Sequence, residues 1–248
     1  MMKIDVIGDI HGCYDELQQL LIKLGYTSTN DGWSHPDKRQ LVFLGDLTDR
    51  GPDSLSVIRL VYQLVVKDRV AKYTPGNHCN KLFRYFLGRP VKIQHGLETT
   101  VKECLALPHQ DRQEIKQQFI TLYEAADLYL ELPQVNAIIA HAGIKQSLIG
   151  KQTKETETFV LYGDITGEID EHSRPVRKDW AQHYKGSMWI IYGHTPVLTP
   201  RIVNRTINID TGCVFGNALT AFRLPEEKTV SVPSKQPFEA DRFRHFNK

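Results

Sequence analysis

The segment Ile4-Asp5-Val6-Ile7-Gly8-Asp9-Ile10-His11-Gly12 opens the chain with a short apolar run that ends in a polar turn. The pattern returns four more times, each time with glycine and with Asp, Asn or His in the turn, at residues 41–51, 70–78, 137–143 and 189–196. Such runs, rich in β-branched and aromatic residues and bounded by turns, are typical of buried strands. One Asp or His after a strand is commonly a turn residue or a helix cap. Five turns of this kind predict that their side chains converge on one edge of a sheet.

Helical periodicity separates the first strands. Leucines at i, i+3, i+4 and i+7 mark one face of the first helix, which Gly25 is expected to end. We predict helices at 14–24, 53–67, 80–87 and 111–126. Residues 88–108 are less regular, and the polar stretch 145–185 reads as an insertion that shapes a pocket. Short strands at 206–209, 218–222 and 229–232 are expected to close the fold as an antiparallel hairpin or meander.

Length and composition favour one ordinary globular domain. The chain has 248 residues, of which 41% are hydrophobic and 24% charged. We expect a single domain over residues 1–232, because the five turns span most of it, and a C-terminal tail over residues 233–248.

Charge and cysteine content exclude several classes of protein. A formal net charge of +2 indicates neither a general nucleic-acid binder nor a polybasic membrane protein. The four cysteines form no CxxC pair, so neither a zinc ribbon nor a disulfide framework is suggested. The sequence shows no secretory signal and no apolar run long enough to span a membrane. We therefore expect a cytoplasmic protein with no membrane association and no stable nucleic-acid complex.

The turns supply a mixed set of oxygen and nitrogen ligands. Such a set suits Mn, Fe, Co, Ni or Zn better than Ca or Mg, which favour oxygen alone. The set contains more ligands than one four-coordinate ion needs. This number favours two ions, about 3.5–4 Å apart, that share a carboxylate. A hydroxide held between such ions is a nucleophile at neutral pH, so hydrolysis of a phosphoester or phosphoanhydride is predicted. The candidate ligands are Asp9, His11, Asp46, Asn77, His141 and His194.

The motifs GDIHG, GDLTDRG, GNH, HAG and GHTP, in this order, resemble the signature of the calcineurin-like metallophosphoesterases. The resemblance is to the branch that includes phosphoprotein phosphatases and bacterial diadenosine tetraphosphatases. It implies a metallo-dependent phosphatase fold, a layered α/β structure in which two mixed sheets form a four-layer α/β/β/α sandwich. The segment IDTGCVFG at 209–216 also resembles that branch's closing motif.

The resemblance further implies a role for each matching residue. Asp9 and His11 would hold one metal, Asp46 would bridge both, and the second would be held by Asn77, His141 and His194. His78 would be the general acid, oriented by Asp49, and Arg50 would bind the phosphate together with Asn77.

Two positions depart from that pattern. Cys79 stands where the family usually has Glu or Asp, and it is expected to be a small buried residue rather than a nucleophile. A second phosphate-binding arginine is expected between HAG and GHTP, where Arg174 and Arg177 both qualify.

Within that branch, GNHCNKL, HGLETT, LYGDITGE and NRTINIDTGCVFGN resemble a subgroup of small bacterial asymmetrical bis(5′-nucleosyl)-tetraphosphatases, the PrpE type. This implies cleavage of Ap4A or Gp4G to a nucleoside monophosphate and triphosphate, binding of nucleotides including GTP, and nickel or manganese as cofactor. One alternative is a Ser/Thr/Tyr phosphoprotein or RNA-end phosphatase. An alternative of another class is a non-catalytic nucleotide or alarmone sensor.

Overall fold

The computed structural model describes residues 2–30, 32–169, 175–244 and 246. Its strands are β1 (Ile4–Ile7), β2 (Thr27–Thr29), β3 (Gly32–Ser34), β4 (Gln40–Phe43), β5 (Ala71–Tyr73), β6 (Leu130–Leu132), β7 (Ala137–Ile139), β8 (Ile165–Ile169), β9 (Pro175–Arg177), β10 (Trp189–Tyr192), β11 (Arg201–Val203), β12 (Thr206–Asn208), β13 (Ala218–Leu224) and β14 (Lys228–Pro233). Its α-helices are α1 (Tyr14–Leu24), α2 (Ser54–Tyr62), α3 (Asn77–Phe86), α4 (Leu97–Ala106), α5 (His109–Glu124) and α6 (Lys154–Tyr162).

Two five-stranded mixed sheets form the centre of the fold. The first has the order β14-β13-β1-β4-β5, in which β1, β4 and β5 are parallel and the β13–β14 hairpin is antiparallel. The second has the order β11-β12-β10-β7-β6, in which β7, β10 and β12 are parallel. The five predicted motif strands are thus the parallel strands β1, β4, β5, β7 and β10. Their carboxyl ends can present several turns along one edge of the structure.

Three apolar clusters correspond to the spaces between four layers. Alternate side chains of a strand face opposite sides of its sheet. Val6 accordingly packs against the second sheet, whereas its neighbour Ile7 packs under the helices of the first. A third cluster joins Ile138 and Ile190 of the second sheet to Phe159 of α6. The predicted layered sandwich of two mixed sheets with outer helices is confirmed.

Several predicted boundaries differ from the structure. Residues 206–208 pair in parallel with β10 in the second sheet, so they are not part of the closing hairpin, which consists of β13 and β14 alone. Residues 97–106, within a stretch expected to be irregular, form α4. The predicted helix at 53–67 begins at Ser54 and becomes a π-helix at Gln63–Lys67. Within the described ranges, no helix is both long enough and apolar enough to span a bilayer.

A buried ion pair joins the beginning of β1 to the β13–β14 hairpin in the first sheet. Asp5 is fully buried, and its carboxylate accepts hydrogen bonds from Arg39 Nε at 2.9 Å and from Arg223 Nε at 2.8 Å. Arg39 also donates to the carbonyl oxygens of Ile4 and Leu224. A buried charge that loses its partner is strongly destabilising.

We therefore expect Arg39→Met to lower the free energy of unfolding by about 3 kcal/mol, measured by urea denaturation. The control is Arg205→Met, which breaks an exposed pair with Glu227 and should cost about 1 kcal/mol or less. Equal losses in the two variants would contradict a special role for the buried pair.

Candidate active site

The six predicted ligands lie together at the carboxyl ends of the motif strands. Asp9 and His11 follow β1, and Asp46 follows β4. Asn77 occupies the first turn of α3, directly after β5, because that helix begins three residues earlier than expected. His141 and His194 follow β7 and β10. Each turn therefore delivers its side chain to the same place.

The backbone of these turns is conformationally unusual. His11, Asp46, Asp49, Arg50 and His194 all have positive φ, between 35° and 77°. Residues other than glycine rarely adopt a positive φ, and those that do are concentrated at functional sites. The strain indicates that the turns are held in place by their surroundings.

Two glycines make room for the carboxylates. A Cβ at Gly76 would overlap the carboxylate of Asp46, and a Cβ at Gly193 would overlap that of Asp9. The backbone N–H groups beside them are used as well, since His78 donates to Asp46 Oδ1 at 2.9 Å and His194 donates to Asp9 Oδ2 at 3.1 Å. Glycine therefore precedes Asn77 and His194 for steric reasons.

Asp46 is common to two groups of side chains that could each hold a metal ion. His11, Asp46 and His78 bring three ligand atoms within 4.8 Å of one another, and Asp46, His141 and His194 do the same. Asp46 Oδ2 lies 3.7 Å from His11 Nε2 and 3.3 Å from His141 Nε2. A carboxylate shared in this way can bridge two ions.

Backbone carbonyls orient two of the histidines. His11 Nδ1 lies 2.9 Å from the carbonyl oxygen of Thr48, and His141 Nδ1 lies 3.2 Å from that of Leu44. An Nδ1–H that donates to a carbonyl leaves Nε2 with a free lone pair, which is how metal-binding histidines are commonly fixed. In both residues Nε2 is the atom nearer to Asp46.

Buried polar atoms without hydrogen-bond partners support the fit of this cluster to metal ions. Among the described residues, neither Asp9 Oδ1 nor His194 Nε2 has a partner. Asn77 Oδ1 and His194 Nδ1 each lie 3.1 Å from His141 Nε2. Leaving buried polar groups unpaired is costly, and cations would satisfy these atoms. The cluster can therefore hold divalent metal ions, and its mixed oxygen and nitrogen donors suit transition metals.

Burial and close charges perturb the acid–base equilibria of the cluster. Burial, reinforced by Asp210, raises the pKa of Asp9 well above its ordinary value, and burial lowers the pKa of His11 to about 3. Burial alone would lower the pKa of His141, but Asp46 and Asp9 raise it to about 9. Strongly perturbed groups packed in one place are a physical mark of a functional site.

His78, Asp49 and Arg50 form a second unit beside the cluster. His78 Nδ1 lies 2.8 Å from Asp49 Oδ2, and Arg50 Nη2 lies 3.2 Å from His78 Nε2. Asp49 is fully buried, whereas Arg50 is only partly so. The carboxylate fixes the ring and favours a proton on Nδ1 in the neutral imidazole.

Thr100 of α4 holds Asp49 in place, a role that the sequence pattern does not assign to it. Its hydroxyl donates to Asp49 Oδ1 at 2.8 Å and accepts the Asp49 N–H at 3.0 Å. Ser54 Oγ accepts the same N–H at 3.2 Å. The only sequence signal was the HGLETT segment, whose resemblance to a subgroup assigned Thr100 no role.

We expect Thr100→Val to lower kcat about threefold to tenfold and the free energy of unfolding by about 1–3 kcal/mol, because Asp49 loses its buried hydroxyl partner. Thr99→Val is the matched control, since among the described residues Thr99 Oγ1 bonds only the nearby carbonyl of Gly96. Steady-state kinetics and urea denaturation measure both effects. Unchanged kcat with lowered stability would make Thr100 purely structural.

The remaining predicted residues have different outcomes. Arg177 lines a pocket with His194 and contributes to the low pKa of that histidine, whose largest cause is burial. Arg174 lies outside the described residues. Cys79 is fully buried, and burial raises the pKa of its thiol to about 12, so it remains a protonated packing residue.

Asp210 is a further acidic residue at the site to which the sequence reading gave no role. It is buried, and burial raises the pKa of its carboxyl to about 7. Its Oδ1 accepts the Gly212 N–H at 3.0 Å, which shapes the 210–216 turn. Its IDTG context was recognised, but only as a closing motif.

Comparison with known proteins gives one family and a set of full-length relatives. The calcineurin-like phosphoesterase family matches residues 2–198. A protein of Oceanobacillus iheyensis named asymmetrical bis(5′-nucleosyl)-tetraphosphatase PrpE is 61% identical over 99% of this chain and 98% of its own length. A protein of the same name from Geobacillus sp. is 60% identical over 99% of this chain and 100% of its own length.

A solved structure shares the fold at lower identity. It is the crystal structure of a candidate diadenosine tetraphosphatase, with a TM-score of 0.67 and 23% identity, and 94% of each chain is covered. At this identity the likeness concerns the arrangement of helices and sheets alone.

Proposed function

Because this chain belongs to the calcineurin-like phosphoesterase family, we propose that it hydrolyses dinucleoside tetraphosphates asymmetrically, to a nucleoside monophosphate and a nucleoside triphosphate. The observation that carries the proposal is identity near 60% over almost the whole length of relatives that bear this name. The fold alone would not choose a substrate, since one fold serves many reactions.

We assign the metal ligands as two overlapping groups. Asp9 and His11 would hold one ion, Asn77, His141 and His194 the other, and Asp46 both. The position of Asp46 between His11 on one side and His141 and His194 on the other supports its shared role. Two divalent ions at these residues would activate water and offset charge on the phosphate. Manganese or nickel is our choice of metal, with iron, cobalt or zinc as outcomes of the same assay.

Arg50 and His78 are assigned the direct contacts with the reacting phosphate. The planar guanidinium of Arg50 can bind two phosphate oxygens at once, and the family pattern adds the Asn77 amide as a further phosphate contact. His78 carries a proton towards the leaving oxygen, and Asp49 stabilises the ring when it is charged. The position of Arg177 beside His194 makes it our choice for the second phosphate-binding arginine.

Product analysis tests the proposal. Ap4A and Gp4G are incubated with the purified protein and Mn²⁺ or Ni²⁺, and the nucleotides are separated. Equal amounts of monophosphate and triphosphate are expected. Two diphosphates would replace asymmetrical by symmetrical cleavage. Faster turnover of phosphopeptides or of RNA ends would favour the phosphomonoesterase alternative, and tight binding without turnover would favour the sensor.

A further inference from the structure

The C-terminal segment, residues 234–244, is bound along the edge of the active site. Ser234 Oγ donates to the carbonyl of Cys213 at 2.7 Å, and the Glu239 N–H donates to that of Phe215 at 3.1 Å. Farther along, the Arg244 N–H donates to the carbonyl of Pro196 at 2.8 Å. The residues expected to be a tail are therefore tied to the 210–216 turn and to the turn that carries His194.

The 210–216 turn is shaped to receive this segment. Gly212 and Gly216 both have positive φ, of 64° and 83°. A Cβ at Gly212 would overlap the ring of Phe243, and a Cβ at Gly216 would overlap the backbone of Pro237. Both the conformation and the close approach require glycine. The two glycines therefore allow the C-terminal segment to pack directly against this turn.

The segment places a second arginine near the aromatic ring that Arg50 faces. The guanidinium carbons of Arg50 and Arg242 lie 5.5 Å and 5.3 Å from the centre of the Phe215 ring. Both arginines line an open groove of about 330 Å³, together with His95 and Val214. The groove therefore begins at a residue that contacts His78 and leads away from it.

The charges of the two guanidinium groups are only partly offset by the carboxylates near them. Burial lowers the pKa of Arg50; the negative charge of Asp46 opposes this shift, and the positive charge of Arg242 adds to it. In the part of the chain that the structure describes, the buried Nε of Arg50 has no hydrogen-bond partner. An anion bound in the groove that both arginines line offsets their like charges and supplies the missing acceptor.

The carboxylates of the groove are already engaged. Glu98 Oε2 accepts the Gly96 N–H at 2.9 Å, and Glu239 Oε2 accepts from Arg242 Nε at 2.9 Å. The side chains of Arg242 and Glu239 are 40% and 44% exposed, so their ion pair contributes little. Arg242 can exchange this partner for a phosphate at small cost.

We propose that Arg242 binds the phosphates of the substrate beyond the one that is attacked, so that the C-terminal segment selects oligophosphate chains over simple phosphomonoesters. This proposal rests on the proposed function, because that function identifies the bound oligophosphate as part of a dinucleoside tetraphosphate. Arg242 would then be a specificity residue outside the five motifs. The groove would bind the triphosphate portion of the dinucleotide.

The test compares Arg242→Gln with the matched control Arg205→Gln, which alters an exposed, ion-paired and ring-stacked arginine away from the site. For Arg242→Gln we expect KM for Ap4A to rise about tenfold with kcat within about threefold, because one charge-assisted contact to the bound chain is lost. KM for p-nitrophenyl phosphate, which has no further phosphates, should change by less than about twofold. Arg205→Gln should change neither.

A second variant has the opposite expected sign. Glu239→Gln removes the carboxylate that competes for Arg242 and should lower KM for Ap4A. Equal increases for both substrates in Arg242→Gln, or no change for Ap4A, would overturn the proposal, as would a higher KM in Glu239→Gln.

A binding measurement separates this proposal from the proposed function. Calorimetry of the metal-loaded protein with a methylene-bridged triphosphate and with orthophosphate requires no turnover. The triphosphate should bind about tenfold more weakly to Arg242→Gln than to the unmodified chain, and orthophosphate equally to both. If the unmodified chain fails to cleave Ap4A, the proposed function fails. In that case, weaker triphosphate binding by Arg242→Gln would still support the proposed role of Arg242. Equal binding by both proteins would overturn it.

Discussion

Replacing Asp46 with asparagine is expected to lower kcat for Ap4A at least about a thousandfold and to leave fewer than two metal ions per chain. Among the described residues, Asp46 is common to both groups of candidate ligand atoms, so its loss is expected to weaken both proposed ion sites at once. Asparagine keeps an oxygen for the His78 N–H, which Asp46 Oδ1 accepts at 2.9 Å, so the turn should persist. Steady-state kinetics and elemental analysis measure the two quantities.

The control for Asp46→Asn is Asp111→Asn, which removes an exposed carboxylate from α5. It should leave both the metal content and kcat unchanged. An Asp46→Asn protein that retains two ions with full affinity would show that Asp46 does not bridge them. The bridging role would then have to move to Asp9 or Asp210, two further acidic residues buried at the site.

The five motif turns could be predicted because their signal is local. A short apolar run, a glycine and a polar side chain lie within about ten residues of sequence, and strand ends fix where that side chain points. Asp9, Asp46 and His141 were found in this way. The steric reason for glycine became visible only in the structure, where a Cβ at Gly76 would overlap Asp46.

The residues that support His78, the proposed general acid, could not be predicted because they are distant in sequence. Thr100 bonds Asp49 across 51 positions, from a helix in a stretch whose pattern suggested no regular structure. A threonine that faces inward from a helix looks like any other small residue until its partner is known. Arg242 was missed for the same reason, since its neighbour Phe215 lies in a different segment.

The sequence pattern also could not predict which of the two sheets contains β12. The β12 run Thr206–Asn208 has the length and composition of a strand, but the same run can join either sheet. Pairing with β10 places Ile207 in the cluster between the sheets. The long-range packing of the core decides the partner, and a local period of two cannot report it.

Replacing His78 with alanine is expected to lower kcat for Ap4A about a hundredfold to ten-thousandfold while both metal ions remain bound. The imidazole is held by Asp49 on one side, at 2.8 Å, and faces Arg50 on the other, as a proton donor beside a bound phosphate would. The competing assignment makes His78 a ligand, since it also belongs to a group with His11 and Asp46. Parallel loss of metal and activity would establish that assignment instead.

His78 could be a general acid or a metal ligand. The way in which the loss of activity depends on the leaving group distinguishes these two roles better than the size of that loss does. A residue that protonates the departing oxygen matters most when that oxygen is strongly basic. Loss of His78 should therefore slow phenyl phosphate hydrolysis about tenfold more than p-nitrophenyl phosphate hydrolysis, because nitrophenolate departs readily without a proton. Asp49→Asn should show the same bias with a smaller loss, since the ring remains but its orientation and charge are no longer supported. A metal ligand would affect both substrates equally, because its removal weakens activation of the attacking water rather than departure of the alcohol.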